Sequence, residues 1–280
     1  MNGPAMMFAS AALFSIMALM VKILSSTVPP AEIIFFRSFI SVVVILLLGV
    51  TGKVHFHAHA KDKLIFRGIV GGISLMLYFY SITMTSLSNA VLLAYTYPIF
   101  ASMFSIMYLK ETLTREKIIF IIAAFLGLLL ILQFDFSSLN TGDMLALMSA
   151  ITSGMAVVSI RELRKTDSAA MIVLSFVLSG TVFSLFFMKG NLVSLHRPDL
   201  LMLLLIGVIG AFGQLFMTAA YKLCSTTLGG VIAMSSVVMT AILSMIVFGE
   251  RLTPNMIIGG LLIFASASFF SRSESCAIAK

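Results

Sequence analysis

Residues 64–119 read LIFRGIVGGISLMLYFYSITMTSLSNAVLLAYTYPIFASMFSIMYLKETLTREKII, and residues 203–258 read LLLIGVIGAFGQLFMTAAYKLCSTTLGGVIAMSSVVMTAILSMIVFGERLTPNMII. At this offset of 139, Leu64, Gly68 and Gly71 fall on Leu203, Gly207 and Gly210. Ser86, Ala94, Ser105, Glu111, Leu113, Thr114, Ile118 and Ile119 also fall on identical residues, 11 identities in 56 positions. A composition this rich in Leu, Ile, Ala and Ser gives roughly five by chance. The connector Glu-x-Leu-Thr recurs at Glu111–Thr114 and Glu250–Thr253, each time between two long apolar runs. Internal duplication is the reading that accounts for both.

The chain of 280 residues is 60% hydrophobic and 10% charged, with mean hydropathy +1.12. That leaves too little polar surface to cover a soluble fold. Its apolar runs are about 17 to 24 residues long, enough for helices to cross about 30 Å of hydrocarbon. Short segments of alternating polarity, which a membrane β-barrel needs, are missing from the sequence. No basic residue precedes the first apolar run, Ala5 to Val21, so it reads as a retained helix rather than a removed signal peptide. Cys224 and Cys276 are too few for a disulfide framework and receive no role. The net charge of +7 is spread over helix ends, where it speaks to topology and not to nucleic acid.

The expected fold is an all-α membrane protein with ten transmembrane helices in two inverted five-helix repeats. The helices are placed at Ala5 to Val21, Ala31 to Leu48, Leu64 to Met84, Ala90 to Met107 and Lys117 to Leu132, then Gly142 to Ile160, Ala169 to Met188, Leu200 to Tyr221, Leu228 to Phe248 and Asn255 to Phe270. The repeats divide the chain at 1–137 and 138–280. With the N-terminus inside, 13 Lys and Arg residues, Arg67 among them, fall on the cytoplasmic side and 4 outside, while Arg37 lies within helix 2. The bias puts both termini in the cytoplasm. Five crossings per half is an odd number, so the second copy enters the membrane inverted. Such halves suit alternating access, in which they exchange inward-facing and outward-facing shapes around a midplane site. The paired glycines of both copies read as close helix contacts. Pro98 bends helix 4, and Val237 in its place in the second copy predicts unequal bending of the halves.

Phe35-Phe36-Arg37 near the start of helix 2, Arg67-Gly68 at the start of helix 3 and the paired Glu-x-Leu-Thr connectors resemble the EamA-type branch of the drug/metabolite transporter superfamily. The resemblance covers nearly the whole chain. It implies a ten-helix carrier that moves small organic solutes across a cytoplasmic membrane through a central cavity, without an ATP-binding domain. The sequence has no G-x-x-x-x-G-K-[ST] loop. One departure from a symmetric pattern is Phe176, which falls where Arg37 maps in the second copy.

Arg37 is the most informative side chain. It lies about 9 Å into helix 2, and Glu32, five residues away, is about 140° round the helix. A charge at that depth snorkels, pairs across helices or meets an anionic substrate group. Helix 3 carries Ser74, Tyr78, Ser81 and Thr85 on one face, and helix 8 carries Gln214, Thr218, Tyr221 and Ser225 at the same spacings. These stripes line a cavity or make interhelical hydrogen bonds. Helix 4 adds Asn89, Tyr95, Thr96 and Tyr97, and helix 9 adds Ser235, Ser236 and Thr240. Tyrosines offer an amphipathic solute a stacking face and a donor.

The substrate-binding set read from sequence is therefore Arg37, Ser74, Tyr78, Ser81, Tyr95, Thr96, Gln214, Thr218, Ser235 and Ser236. Glu32, Glu111 and Glu250 are assigned to gating or coupling. Exchange, facilitated diffusion and coupling through a peripheral acid all remain open. His55, His57 and His59 alternate in a loop, but no carboxylate or Cys pattern completes a metal site. No nucleophile, acid/base dyad, metal or cofactor motif of an enzyme stands out. The expected protein is a secondary transporter of the bacterial inner membrane, taking an amino acid or related compound. Uptake of S-adenosylmethionine or another nucleoside-like metabolite, or a lipid flippase subunit, are the alternatives. The partners expected are the substrate and the lipid bilayer, with no nucleic acid and with homodimerisation open.

Overall fold

The structure is a computed structural model that describes residues 2–85, 87–111, 114–132, 140–188, 197–248 and 253–278. In chain order the helices are α1 (Gly3–Leu24), α2 (Pro30–Val50), α3 (Lys61–Met84), α4 (Leu87–Ala94), α5 (Tyr97–Phe104), α6 (Arg115–Leu132), α7 (Thr141–Leu163), α8 (Ala169–Phe187), α9 (Arg197–Ala220), α10 (Thr226–Ala233), α11 (Ser235–Phe248) and α12 (Pro254–Ile278). There is no strand among the described residues. Helices keep every backbone donor satisfied without water, the condition for crossing lipid. Their starts are encoded locally. Asn2 accepts from Ala5 N at 3.1 Å, Ser225 accepts from Leu228 N at 3.2 Å, and Asn140 with Asp143 forms a reciprocal capping box at α7.

Among the described residues, eight segments are long and apolar enough to cross a membrane, with α4 and α5 counted together and α10 and α11 counted together. Helices α6 and α12, the fifth and tenth of the expected set, are not among them. The first turn of α6 holds Arg115, Glu116 and Lys117, and the apolar part of α12 is the shorter run Pro254–Phe270. Large apolar side chains such as Phe39, Leu47, Ile65, Leu201 and Ile246 face outward, forming the lipid-facing coat of a multi-pass protein.

The expected fourth and ninth helices are each broken, the first beside Pro98 and the second where no proline stands. The first joint is Tyr95–Thr96 and the second Met234, and Tyr95 maps onto Met234 at the repeat offset. Each joint tightens into a shorter-range bond, Ile99 N to Thr96 O at 2.9 Å and Val237 N to Met234 O at 3.0 Å. The first joint has a local cause, because Pro98 lacks the N–H that would reach Ala94. The second has no proline. After α5 a π-helical turn spans Ser105–Leu109, and Lys110 adopts a left-handed φ of 54° before Glu111.

Packing runs in matched pairs. Helix α1 lies on α9, α10 and α11, as α7 lies on α3, α4 and α5; α9 packs on α2 as α3 packs on α8; α6 packs on α12. Two repeat-related glycines serve matched contacts. A Cβ on Gly68 would meet Ser175 O of α8 at 2.7 Å, and one on Gly207 would meet Ile40 Cβ of α2 at 2.5 Å.

Candidate functional site

Helices α1, α2, α3, α7, α8 and α9 and the two joints line a partly open cavity of about 250 Å³. Arg37 enters it from α2. Its guanidinium carbon stands 5.9 Å from the centre of the Phe176 ring, and only 5% of the residue is exposed. Arg67 reaches the same ring from α3, at 4.7 Å, and is 3% exposed. Arg67 is a correction to the sequence reading, which counted it with the cytoplasmic charges. It stands near the start of α3 with Lys61 and Lys63, but its helical phase matches the polar face, with Gly71, Ser74 and Tyr78 following at steps of four, three and four. The stripe continues one turn further than the hydroxyls alone suggest.

Glycines make room for both arginines. A Cβ at residue 71 would overlap Arg67 Nη1, and one at residue 210 would stand 3.3 Å from Arg37 Nε. Gly71 and Gly210 are repeat equivalents, so the same position in each copy lies under a guanidinium. The sequence reading gave these glycines to helix contact alone.

Neither arginine has a carboxylate partner among the described residues. Arg37 Nε, Arg67 Nε and Arg67 Nη1 are buried without a hydrogen-bond acceptor. The cavity lining contains no Asp, Glu, Lys or His. A cation–π contact contributes about 0.5–2 kcal/mol, whereas a charged side chain at the centre of a membrane helix costs about 2.5–3.5 kcal/mol. One shared ring does not offset two charges. The balance falls to water or an anion in the cavity.

The remaining polar groups are arranged around this pair. Ser74 donates to Ser149 O at 3.1 Å and also shares a hydrogen bond with Ser153 Oγ, tying α3 to α7. The Tyr95 hydroxyl is 2.5 Å from Ser236 Oγ, joining the two helix breaks across the cavity. Gln214 is 7% exposed and its Oε1 has no partner. Phe14, Tyr78, Phe79 and Tyr97 supply apolar and aromatic wall.

The sequence-derived set is thus divided. Arg37, Ser74, Tyr78, Tyr95, Gln214 and Ser236 line the cavity, whereas Ser81, Thr96, Thr218 and Ser235 are buried outside its lining. Ser81 and Thr96 turn back to their own helices, donating to Tyr78 O at 2.7 Å and Leu93 O at 2.6 Å. Thr85 and Ser225 serve helix ends instead of the stripe: Thr85 donates to Asp143 Oδ1 at 2.7 Å, and Ser225 caps α10. Arg67, Phe176, Ser149 and Ser153 were missed. Phase along the helix would have found Arg67. The serines of α7 carry no sequence signal beyond their type.

Glu111 accepts from Thr226 at 2.8 Å and faces Arg161 Nε at 3.4 Å. Arg161 also donates to Tyr221 O at 2.8 Å and Lys222 O at 3.1 Å, fastening the end of the α5 segment to α7 and the α9–α10 turn. Glu32 is buried in the first turn of α2. Glu250 lies outside the described residues, as does the side chain of Asn89. The loop bearing the three histidines docks through its backbone, with His59 N donating to Asp167 Oδ1 at 2.8 Å and Ser168 N to His57 O at 3.1 Å. Among the described residues no three His, Cys, Asp or Glu side chains gather at a metal-binding distance.

The model of the EamA-like transporter family matches residues 1–133 and again 140–272. The chain belongs to the EamA-like transporter family. It is 32% identical over 265 residues to the pseudopaline exporter CntI of Pseudomonas aeruginosa, with 93% of each chain covered. Solute carrier family 35 member G1 of Mus musculus is 27% identical over 271 residues, covering 90% of this chain and 73% of that protein. The S-adenosylmethionine uptake transporter of Rickettsia prowazekii is 22% identical over 276 residues, with 98% and 94% covered. A solved crystal structure superposes with TM-score 0.80 at 18% identity over 95% of both chains, a likeness of fold. Family and relatives together make this EamA-like protein a membrane transporter.

Proposed function

We propose that this EamA-like chain is a secondary carrier that moves a small polar or amphipathic metabolite, of amino-acid size or a little larger, across the bacterial inner membrane by alternating access. The observation that carries the reading is the central cavity, bordered by Arg37 and by polar residues from the repeat-related helices α3 and α9. Its volume of about 250 Å³ lies just below the usual range of small-molecule sites, about 300–1,000 Å³. Ten crossings in two inverted five-helix halves, 1–137 and 138–280, complete the proposal. The matched packing pairs and the joints at Tyr95–Thr96 and Met234 support a two-fold relation. Five crossings per half make that relation an inversion.

In this mechanism the joints are the bending points and Tyr95–Ser236 is the contact that spans them. Glu111 and Arg161 hold one end, and Glu250 acts at the other in the inverted arrangement. The test is counterflow of a labelled metabolite panel in proteoliposomes, with and without imposed gradients. Accelerated uptake of one member by internal unlabelled solute supports a carrier; uptake without counterflow across a panel of metabolites contradicts it. The Rickettsia relative favours S-adenosylmethionine as a second reading. Its cationic sulfonium meets two arginines and no acid in the lining, which ranks it below a neutral or acidic solute.

A further inference from the structure

We infer that the cavity selects a doubly anionic amphipathic solute, with its two negative charges held by Arg37 and Arg67, which both lie against the Phe176 ring. This deepens the carrier reading and rests on it. Both guanidiniums are within cation–π range of one ring, so their carbons lie no further apart than the sum of 5.9 Å and 4.7 Å. Two carboxylates on one small molecule, or one phosphate monoester, span such a gap.

The side chains arrive from two consecutive helices. Arg37 is seven residues into α2 and Arg67 six into α3, about 10 Å and 9 Å along them. Each long side chain then reaches the ring of Phe176. All three residues line the cavity. Buried nitrogens without acceptors, Arg37 Nε, Arg67 Nε and Arg67 Nη1, are the donors left for an anion.

Charge balance discriminates among solutes. A zwitterion brings one carboxylate for two arginines and an ammonium for which the lining has no acid. A dianion neutralises both arginines and adds no unpaired cation. The wall of Phe14, Phe79, Tyr78 and Met217 takes an apolar body between the charged end and the Gln214 amide. Gly71 is part of the site, because a Cβ there would overlap Arg67 Nη1, and one at Gly210 would press on Arg37 Nε at 3.3 Å.

The experiment titrates the purified full-length protein in lipid nanodiscs with phenylsuccinate, phenyl phosphate, phenylalanine and S-adenosylmethionine at about pH 8, where phosphate monoesters are doubly charged. The dianions should bind at least about tenfold more tightly than phenylalanine, the effect of one additional charge-assisted hydrogen bond. Preference for phenylsuccinate or for phenyl phosphate then distinguishes paired carboxylates from a phosphate, and either supports the site. Arg37→Gln and Arg67→Gln should each weaken dianion binding by about tenfold and phenylalanine binding less, with part of the loss restored in Arg67→Lys. Equal or tighter binding of phenylalanine or S-adenosylmethionine overturns the proposal, as does absence of dianion binding by the wild-type protein. Unchanged dianion affinity in both Gln variants also overturns it. The wild-type panel decides even if a variant fails to fold. Counterflow in proteoliposomes separates the two proposals: dianion binding without counterflow of any solute sinks the carrier and leaves the site, whereas counterflow of zwitterions alone sinks the site and leaves the carrier.

Discussion

Phe176 occupies the place in the second copy that Arg37 holds in the first, and its ring lies against both Arg37 and Arg67. Phe176→Leu keeps an apolar side chain but removes the ring face. We predict near-normal membrane levels and about threefold to thirtyfold weaker solute binding, the range of a cation–π contact. An unchanged binding isotherm would remove the ring from the site. Tyr95→Phe deletes the hydroxyl that meets Ser236 and should lower the thermal midpoint modestly, as loss of about 1 kcal/mol does. Arg37, Ser74, Tyr78, Tyr95, Gln214 and Ser236 were legible beforehand because polar groups inside apolar runs are few and their spacing fixes a face. Arg67 was not, since its neighbours Lys61 and Lys63 are interfacial charges and hydropathy averages over a window wider than one helical turn. Ser81 and Thr96 failed for a different reason. A hydroxyl can bond its own helix, and spacing does not distinguish that from facing a cavity.

At the scale of the element, the joints carry more information than the proline. Because Met234 breaks its helix without one, the joint at Tyr95–Thr96 does not depend on Pro98 alone. Gly230 faces Pro98, and a Cβ there would come within 2.6 Å of Pro98 Cβ. We therefore predict that Gly230→Val lowers the thermal midpoint more than Pro98→Ala does. The reverse order would show that the proline and not the close contact sets the joint. Gly71→Ala should disturb the site directly, since a Cβ there would overlap the end of Arg67 and come within 2.9 Å of Phe176 Cδ2: solute binding is lost while the protein remains monodisperse. Outside the membrane segments, Asp167 anchors the histidine loop. Burial alone would raise its pKa, but the Thr166 hydroxyl and the His59 and Ala60 amides bring it below the usual carboxylate range. A depressed folded pKa gives stability that is present above the ordinary carboxylate value and lost as pH falls through the folded one. Hydrogen-exchange protection of the His59 and Ala60 amides, taken relative to the intrinsic rate at each pH, should fall in that acidic window, and Asp167→Asn should remove that fall. The docking of this loop was invisible in the sequence, because backbone donors of a polar loop carry no residue signature.

For the whole molecule, the repeat was legible from eleven identities, and the helices from hydropathy, while the number that cross lipid depends on α6 and α12. In a background lacking Cys224 and Cys276, a cysteine replacing Ser138 should react with an impermeant reagent from outside, and one replacing His57 should not. The opposite labelling pattern reverses the proposed orientation. The two halves are alike in path and unlike in the charge they bring to the cavity. Arg37 and Arg67 both belong to the first copy, and their counterparts are Phe176 and Ile206. On the carrier reading, an empty cavity therefore holds two positive charges within the electric field of the membrane, and a cavity loaded with a dianion holds none. One elementary charge crossing the full potential changes energy by about 2.3 kcal/mol per 100 mV. The return of the empty carrier then responds to voltage while one-for-one exchange of bound solute does not, so the resting potential of the cell sets which way the unloaded protein faces.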